Sequence, residues 1–307
     1  MERDNINVLM EKTEQWILPE LETVFTSEEA EDITVKAALY SLYAGGKRLR
    51  PLMMYLTSDM LKLDFDIDAD VKYFAATLEM LHTYSLIHDD LPALDNDDLR
   101  RGKPTCHKAF GEGIAVLAGD LLLNKAMERL FLMCEKHPGY IYAASAMAEN
   151  SGISGMLGGQ SIDIASEDKE ISLELLTELQ RKKTGAFIEA AVVTPYYLST
   201  LMKRSDSLKD ETASDLRKLA EHIGLAFQIK DDILDVISDS TTLGKSTGKD
   251  ARDSKATFVT LLGLEGAKKR LEDESDCIKV ILDKFDNNGF DTTDYRTLTD
   301  FLVNRDR

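Results

Sequence analysis

The chain reads as helix almost from end to end. Apolar residues recur at spacings of three and four, as at Val71, Phe74, Ala75, Leu78, Leu81 and Tyr84, which places them on one helical face. Alternation at a spacing of two, bounded by turn residues, is hard to find. Helix ends are clearly punctuated. Gly45-Gly46 closes a helix that begins near Asp32, since glycine accepts the left-handed conformation that ends helices. Pro51 is expected at the first position of the next helix, which carries Leu52, Met53, Leu56 and Met60. A helix over 70–90 stops at Pro92. His137-Pro138-Gly139 is a loop, and Ser172, after the polar stretch Ser166–Glu170, reads as an N-cap. Residues 241–255, TTLGKSTGKDARDSK, read as a long basic loop, a feature uncommon inside a compact domain and often functional. Glycines at 152, 155, 158 and 159 fit a helix packed tightly on a neighbour or one kinked beside a ligand. Each glycine costs a helix about 1 kcal/mol for either purpose. The pattern therefore predicts an all-α protein. No Pro/Gly/Ser-rich linker or repeat divides it, so residues 1–307 are expected to form one domain.

Composition narrows the class. At 43% hydrophobic, 307 residues are enough to bury a large core. Cys106, Cys134 and Cys277 make no disulfide framework. The start, MERDNINVLMEKTEQW, has no apolar signal region, and no run of about 18 apolar residues could span a bilayer. A cytoplasmic location without a membrane span is expected. The net charge of −18 repels nucleic acid and anionic membranes at long range, but it does not exclude a small anionic substrate held by local bases.

Two acidic clusters stand at the ends of apolar helices: HDDLPALDNDD over 88–98 and QIKDDILD over 228–235. Bunched carboxylates repel one another unless a cation or a protonation shift intervenes. Hard cations prefer oxygen, and Mg²⁺ is usually held by one or two carboxylates plus substrate phosphates. Gln228, Asp231 and Asp235 share a helix face, with Asp232 beside them. His82 and Asp89, seven apart, also share one, and after Pro92 the chain can bring Asp95 back toward Asp89. Either cluster alone is a solvated acidic end or a metal site. Bases shift the balance. Lys47-Arg48-Leu49-Arg50, Arg100-Arg101-Gly102-Lys103, Lys182-Lys183-Thr184 and the run from Lys245 to Lys255 each lie in a short polar break. Carboxylates, Mg²⁺ and Lys/Arg together suit a diphosphate that must be bound and stabilised as it departs.

The strings GGKRLRP (45–51), LIHDDLPALDNDDLRRGKPTCHKAFG (86–111), Lys183-Thr184 and FQIKDDILD (227–235) resemble the trans-type isoprenyl diphosphate synthases, and within them the bacterial farnesyl diphosphate synthases. The motifs run in the family's order from about residue 35 to about residue 265. The resemblance implies a bundle of ten or more helices around a deep apolar cavity, a homodimer, and three Mg²⁺ per site. It implies condensation of isopentenyl diphosphate with an allylic diphosphate, dimethylallyl or geranyl, to give farnesyl diphosphate. Carried over by position, Asp89, Asp95 and Asp231 match metal ligands, with Asp90, Asp232 and Asp235 supporting. Lys47, Arg50, His82 and Arg101 match the isopentenyl diphosphate pocket. Arg100, Lys183, Thr184, Gln228, Lys245 and Lys255 match the surroundings of the allylic diphosphate, and Lys183, Thr184 and Gln228 are the candidates for acting on the reacting centre. Gln160 and Asp163 are expected nearby, and Arg305 and Arg307 resemble a basic tail that closes over the site. Tyr84, about 7.5 Å along the helix axis from Asp89, matches a cavity floor that sets chain length. Such an aromatic, with the two-residue insertion between Asp90 and Asp95, accompanies a farnesyl product; read from the residue alone, Tyr84 is also a plain core aromatic. A charged stretch at 246–254 departs from the family pattern.

Other readings have less support. A geranyl or geranylgeranyl product is the near alternative. A metal phosphohydrolase would need more histidines beside the aspartates. A di-iron bundle needs two Glu-x-x-His motifs, and only Glu79-x-x-His82 exists. A terpene cyclase would not need the Lys47/Arg50/Arg101 pocket, and a non-catalytic subunit could dispense with aspartates kept here in both motifs. His88 reads as structural, His107 is open, and Cys106 lacks a paired histidine for nucleophilic work.

Overall fold

The apolar stripes are closed by one helix against another. In the computed structural model, which describes residues 2–63, 65–199, 210–241 and 256–305, more than ten α-helices follow in order. They are α1 (Glu2–Leu21), α2 (Ile33–Leu42), α3 (Leu49–Met60), α4 (Phe65–Asp89), α5 (Cys106–Phe110), α6 (Glu112–Lys136) and α7 (Ile141–Ser151). After these come α8 (Met156–Ala165), α9 (Leu173–Gln180), α10 (Ala186–Leu198), α11 (Glu211–Thr241), α12 (Phe258–Asn287) and α13 (Thr293–Asn304). Every residue of α10 except Glu189 is buried, as expected of a helix at the centre of a bundle. α3, α4, α7 and α11 pack around it, α4 lies along α6, and α12 runs beside α11. Buried apolar residues from Ile6 to Leu302 join in one core.

Helix ends follow the sequence signals closely. Asp32 caps α2 by accepting from the Thr34 N–H at 2.7 Å, and Ser172 caps α9 by accepting from Leu175 at 3.2 Å. Two boundaries differ. Pro51 is the third residue of α3, not the first, which is still within the turn whose N–H groups lack helical acceptors. α4 starts at Phe65 rather than at 70 and ends at Asp89. Its early turns carry Asp68 and Asp70, which suit a helix amino end and accept from Trp16 Nε1 at 2.8 Å and the Tyr140 hydroxyl at 2.5 Å. One feature escapes the periodicity. Leu99–Arg100 (β1) pairs antiparallel with Lys103–Pro104 (β2) through Arg101 and Gly102, both at positive φ, as a tight two-residue hairpin requires. Strands of two residues are too short to show alternation. Among the described residues no helix is long and apolar enough to cross a membrane.

Candidate active site

The end of α4 and the chain after it build one acidic rim. After Asp89 the backbone turns back, and the Asp95 N–H donates to the Asp89 carbonyl at 2.9 Å. Burial pushes the Asp89 carboxyl up to about 6; Lys183 opposes the rise and Asp95 adds to it. Asp90 is otherwise employed. It is buried, and both its oxygens accept from Nε and Nη2 of Arg100 at 2.6–2.9 Å. The hairpin that carries Arg100 is thereby tied to α4.

The second rim lies on α11. Burial pushes the Asp231 carboxyl up to about 6 as well; Arg305 opposes this and Asp235 adds to it. Arg305, just beyond α13, places Nη2 2.5 Å from Asp231 Oδ1 and 3.1 Å from the Phe227 carbonyl. Asp232 points elsewhere: it accepts from Gln228 Nε2 at 3.0 Å and from the Phe258 N–H at 2.7 Å, at the start of α12. Asp235 is exposed.

A single turn of π-helix, Arg181–Gly185, joins the rims. Such turns often mark functional positions, and this one is gripped from two sides. A Cβ on Gly159 of α8 would fall 2.1 Å from the Lys183 nitrogen, and one on Gly224 of α11 would fall 3.1 Å from Gly185 Cα. Gly159 therefore serves tight helix contact, which seats Lys183, while Gly158 makes room for the Ile153 backbone just before its own helix. Lys183 Nζ reaches Asp163 Oδ2 at 2.5 Å, while the Thr184 hydroxyl donates to Gln228 Oε1 at 3.5 Å. The Lys183 charge is also felt by Asp89, and Thr184 is bonded to the helix that carries Asp231. Gln160, one turn before Asp163, is buried with an unpartnered amide oxygen.

The bases form the remaining wall. Gly45-Gly46 takes positive φ, and the Arg101 guanidinium donates to the Gly45 carbonyl, which brings the GGKRLRP loop against the hairpin. Arg50 lies 5.8 Å from the Phe187 ring centre and its Nε is buried without a partner. Burial lowers its affinity for a proton to about 10, with Glu79 opposing and Arg101 assisting. Burial likewise depresses Arg101 and Lys47. His82 is held well below the ordinary imidazole value by burial and then by Arg50, Arg101, Arg100 and Arg48; it is neutral and lies edge-on to Phe187, centroids 6.4 Å apart.

Arg48 stood in the sequence only as one of a run of bases and Glu79 only as half of a metal motif, and the structure pairs them. Arg48 and Glu79 form a buried ion pair, Nη1 to Oε1 at 2.8 Å, and Arg48 Nη2 also holds the Leu42 carbonyl at 2.7 Å. Glu79 is the carboxylate that offsets the charge of Arg50 and Arg101. Its signal was an acid set in an otherwise apolar stretch of α4, three residues before His82. Lys245, Lys255 and Arg307 lie outside the described residues. Tyr84 is buried, its hydroxyl unpartnered, and burial, then Asp89, pushes it up to about 12. His107 is buried, with Nδ1 3.1 Å from the Thr105 hydroxyl. Cys106 is buried under α2, and burial raises its thiol, which suits an inert residue.

Chemically, the two rims and the bases carry carboxylates and cations whose charged forms are disfavoured by desolvation. Each side gains by meeting a mobile ion of opposite sign. Among the described residues no three His, Cys, Asp or Glu side chains converge to hold a metal unaided. Oxygen-only donors, few per rim, fit a hard cation completed by water and phosphate oxygens.

The chain matches the family model for polyprenyl synthetase over residues 31–288. It is 42% identical over 277 residues to a farnesyl diphosphate synthase of Escherichia coli (strain K12), covering 89% of each chain. It is 40% identical over 269 residues to a geranylgeranyl diphosphate synthase of Cyanophora paradoxa, covering 87% of this chain and 85% of the relative. Among solved structures, an FPP/GFPP synthase from Zymomonas mobilis aligns with a TM-score of 0.80 at 33% identity, over 99% of this chain and 100% of the other. A geranyltransferase from Helicobacter pylori, complexed with magnesium and isoprenyl diphosphate, aligns with a TM-score of 0.76 at 30% identity, over 96% and 95%. The chain belongs to the polyprenyl synthetase family. Its fold and its bundle of helices are those of an isoprenoid synthase.

Proposed function

We propose that the protein is a prenyltransferase that condenses isopentenyl diphosphate head-to-tail with dimethylallyl and then geranyl diphosphate, giving farnesyl diphosphate and inorganic diphosphate. The observation that carries this is the pair of half-buried carboxylates, Asp89 and Asp231, both pushed up by desolvation, with Lys183 acting on the first, Thr184 bonded to Gln228 on the helix of the second, and the bases Lys47, Arg50 and Arg101 alongside. Magnesium would be held by Asp89, Asp95 and Asp231, three ions per site, and would supply positive charge to the allylic diphosphate. Asp90 and Asp232 support that arrangement by fixing Arg100 and Gln228, and Asp235 adds negative charge beside Asp231.

The residues divide the work. Arg100, Lys183 and, from the sequence, Lys245 and Lys255 take up charge on the leaving diphosphate as its C–O bond breaks and the electron pair departs with oxygen. Lys47, Arg50, Arg101 and neutral His82 orient isopentenyl diphosphate so that its double bond attacks the allylic carbon. The new C–C bond leaves a tertiary cation, which loses a proton to the departed diphosphate. Gln228 Nε2 is turned to Asp232 and its Oε1 accepts from the Thr184 hydroxyl, and the remaining lone pairs of these two oxygens face the cation as dipoles. Tyr84 closes the apolar cavity and limits chain length, and the walls exclude water that would quench the cation.

The single-domain reading of 1–307 is supported by the one continuous core. A homodimer is supported by α6, where Val116, Leu117, Leu132 and the 72% exposed Phe131 leave apolar surface uncovered. We place the enzyme in the cytoplasm. The test is incubation with Mg²⁺, isopentenyl diphosphate and geranyl diphosphate, then identification of prenyl alcohols after phosphatase treatment. Farnesol is expected; absence of any Mg²⁺-dependent C15 or longer alcohol would reject the reading.

A further inference from the structure

His88 has no part in the chemistry above, yet it stands where α4 passes α6, one helical turn from Tyr84. Its Nε2 donates to the Val116 carbonyl at 3.1 Å and lies 3.9 Å from the Asp120 carboxylate. Its other flank meets Tyr84 edge-on, with ring centroids 5.9 Å apart and planes at 79°. The imidazole is therefore clamped between the Tyr84 ring and the backbone of α6. There is room for it only because α6 has no side chain at position 119. A Cβ built on Gly119 would come within 2.2 Å of His88 Nε2 and 2.5 Å of Cδ2. Tyr84 itself has no polar anchor, since its buried hydroxyl makes no hydrogen bond. Packing alone sets its ring, and an i,i+4 aromatic contact is a directed part of that packing.

We propose that His88 is a positioning residue for product specificity: seated in the Gly119 notch of α6, it buttresses Tyr84 and so sets how long a prenyl chain the enzyme releases. The proposal rests on Tyr84 being the cavity floor. It makes two changes on different helices act in opposite directions, which general damage to the fold would not do. Removing the imidazole lets Tyr84 swing back and deepens the cavity. Filling the notch drives the imidazole onto Tyr84 and makes the cavity shallower.

The experiment uses the full-length enzyme with Mg²⁺, labelled isopentenyl diphosphate and either dimethylallyl or geranyl diphosphate. Products are resolved by chain length at matched low conversion. His88→Ala is expected to raise the C20-to-C15 ratio about tenfold, the low end of what one steric group decides in an apolar pocket. Gly119→Ala, which leaves the sequence around Asp89 intact, is expected to raise the C10 fraction instead. His88→Gln, whose amide can still donate to Val116, should move the ratio back toward that of the parent. Tyr84→Ala separates the two ideas. If it lengthens the product while His88→Ala and Gly119→Ala both keep the parent ratio, the buttress is refuted and the floor stands. If Tyr84→Ala leaves chain length unchanged, the floor itself is refuted. Should His88→Ala lose turnover, the Gly119→Ala ratio decides alone: a shift toward C10 upholds the proposal and an unchanged ratio overturns it.

Discussion

Arg48→Met tests the electrostatic frame on which the basic wall is built. The substitution removes one member of a pair whose side chains are 7% and 3% exposed. It leaves Glu79 with its charge buried and its direct partner gone, and it strips the Leu42 carbonyl of a donor. Breaking a buried pair from one side costs about 3–5 kcal/mol. Arg50 and Arg101 still feel Glu79, so the lower end, about 3 kcal/mol, is expected. Replacing both partners, Arg48→Met with Glu79→Met, removes the stranded charge, and most of that loss should return. Arg48 also sits at φ 46, the left-handed region, which costs a non-glycine residue about 1–2 kcal/mol. Arg48→Gly should therefore be about 1 kcal/mol more stable than Arg48→Ala. The assay is urea denaturation followed by circular dichroism, alongside KM for isopentenyl diphosphate. KM should rise in the single and the double variant alike, because Lys47 and Arg50 lose their anchor in both. A single variant within about 1 kcal/mol of the parent, or a double variant as unstable as the single, would refute the reasoning.

Three further outcomes are expected. His82 is depressed in the folded state, so below about pH 6.5 the unfolded chain binds the extra proton and stability falls as pH decreases; His82→Gln should remove that part of the acid sensitivity, and the His82 ring signals in NMR should show no titration between pH 6 and 8. Gly159→Ala forces the Lys183 backbone away and should lower kcat/KM by about 100-fold, the effect of displacing a positioned group by about 1 Å; steady-state kinetics with an unchanged kcat/KM would contradict this. Asp163→Asn releases the Lys183 ammonium from its 2.5 Å partner and should lower kcat while leaving the product chain length as it was, read by the same product analysis.

Much of the site was legible because its parts are short, polar and out of place among apolar helices. Asp89, Asp95 and Asp231 announced themselves by crowding, and the turn of Asp95 back toward Asp89 followed from Pro92. The helix cap at Ser172 was equally plain, since a capping side chain acts within three residues. What the sequence hid depends on contacts across long separations. Glu79 looked like half of a metal motif until Arg48, 31 positions away, appeared beside it. The π turn at 181–185 has no residue signature of its own; it arises from the helices that press on it at Gly159 and Gly224. The hairpin at 99–104 hid for the opposite reason, being too brief for any periodicity.

The seating of Lys183 and Thr184 in that π turn has a consequence for how the enzyme would age under heat. Flexible loops usually melt ahead of the body that bears them, so catalysts built on loops fade while the scaffold is still intact. Here Lys183 is packed on the backbone of α8 at Gly159, and Thr184 is bonded to Gln228 of α11 beside the close approach of Gly185 to Gly224. Turnover and helical content should accordingly disappear at one temperature, with no interval in which a folded but idle protein survives.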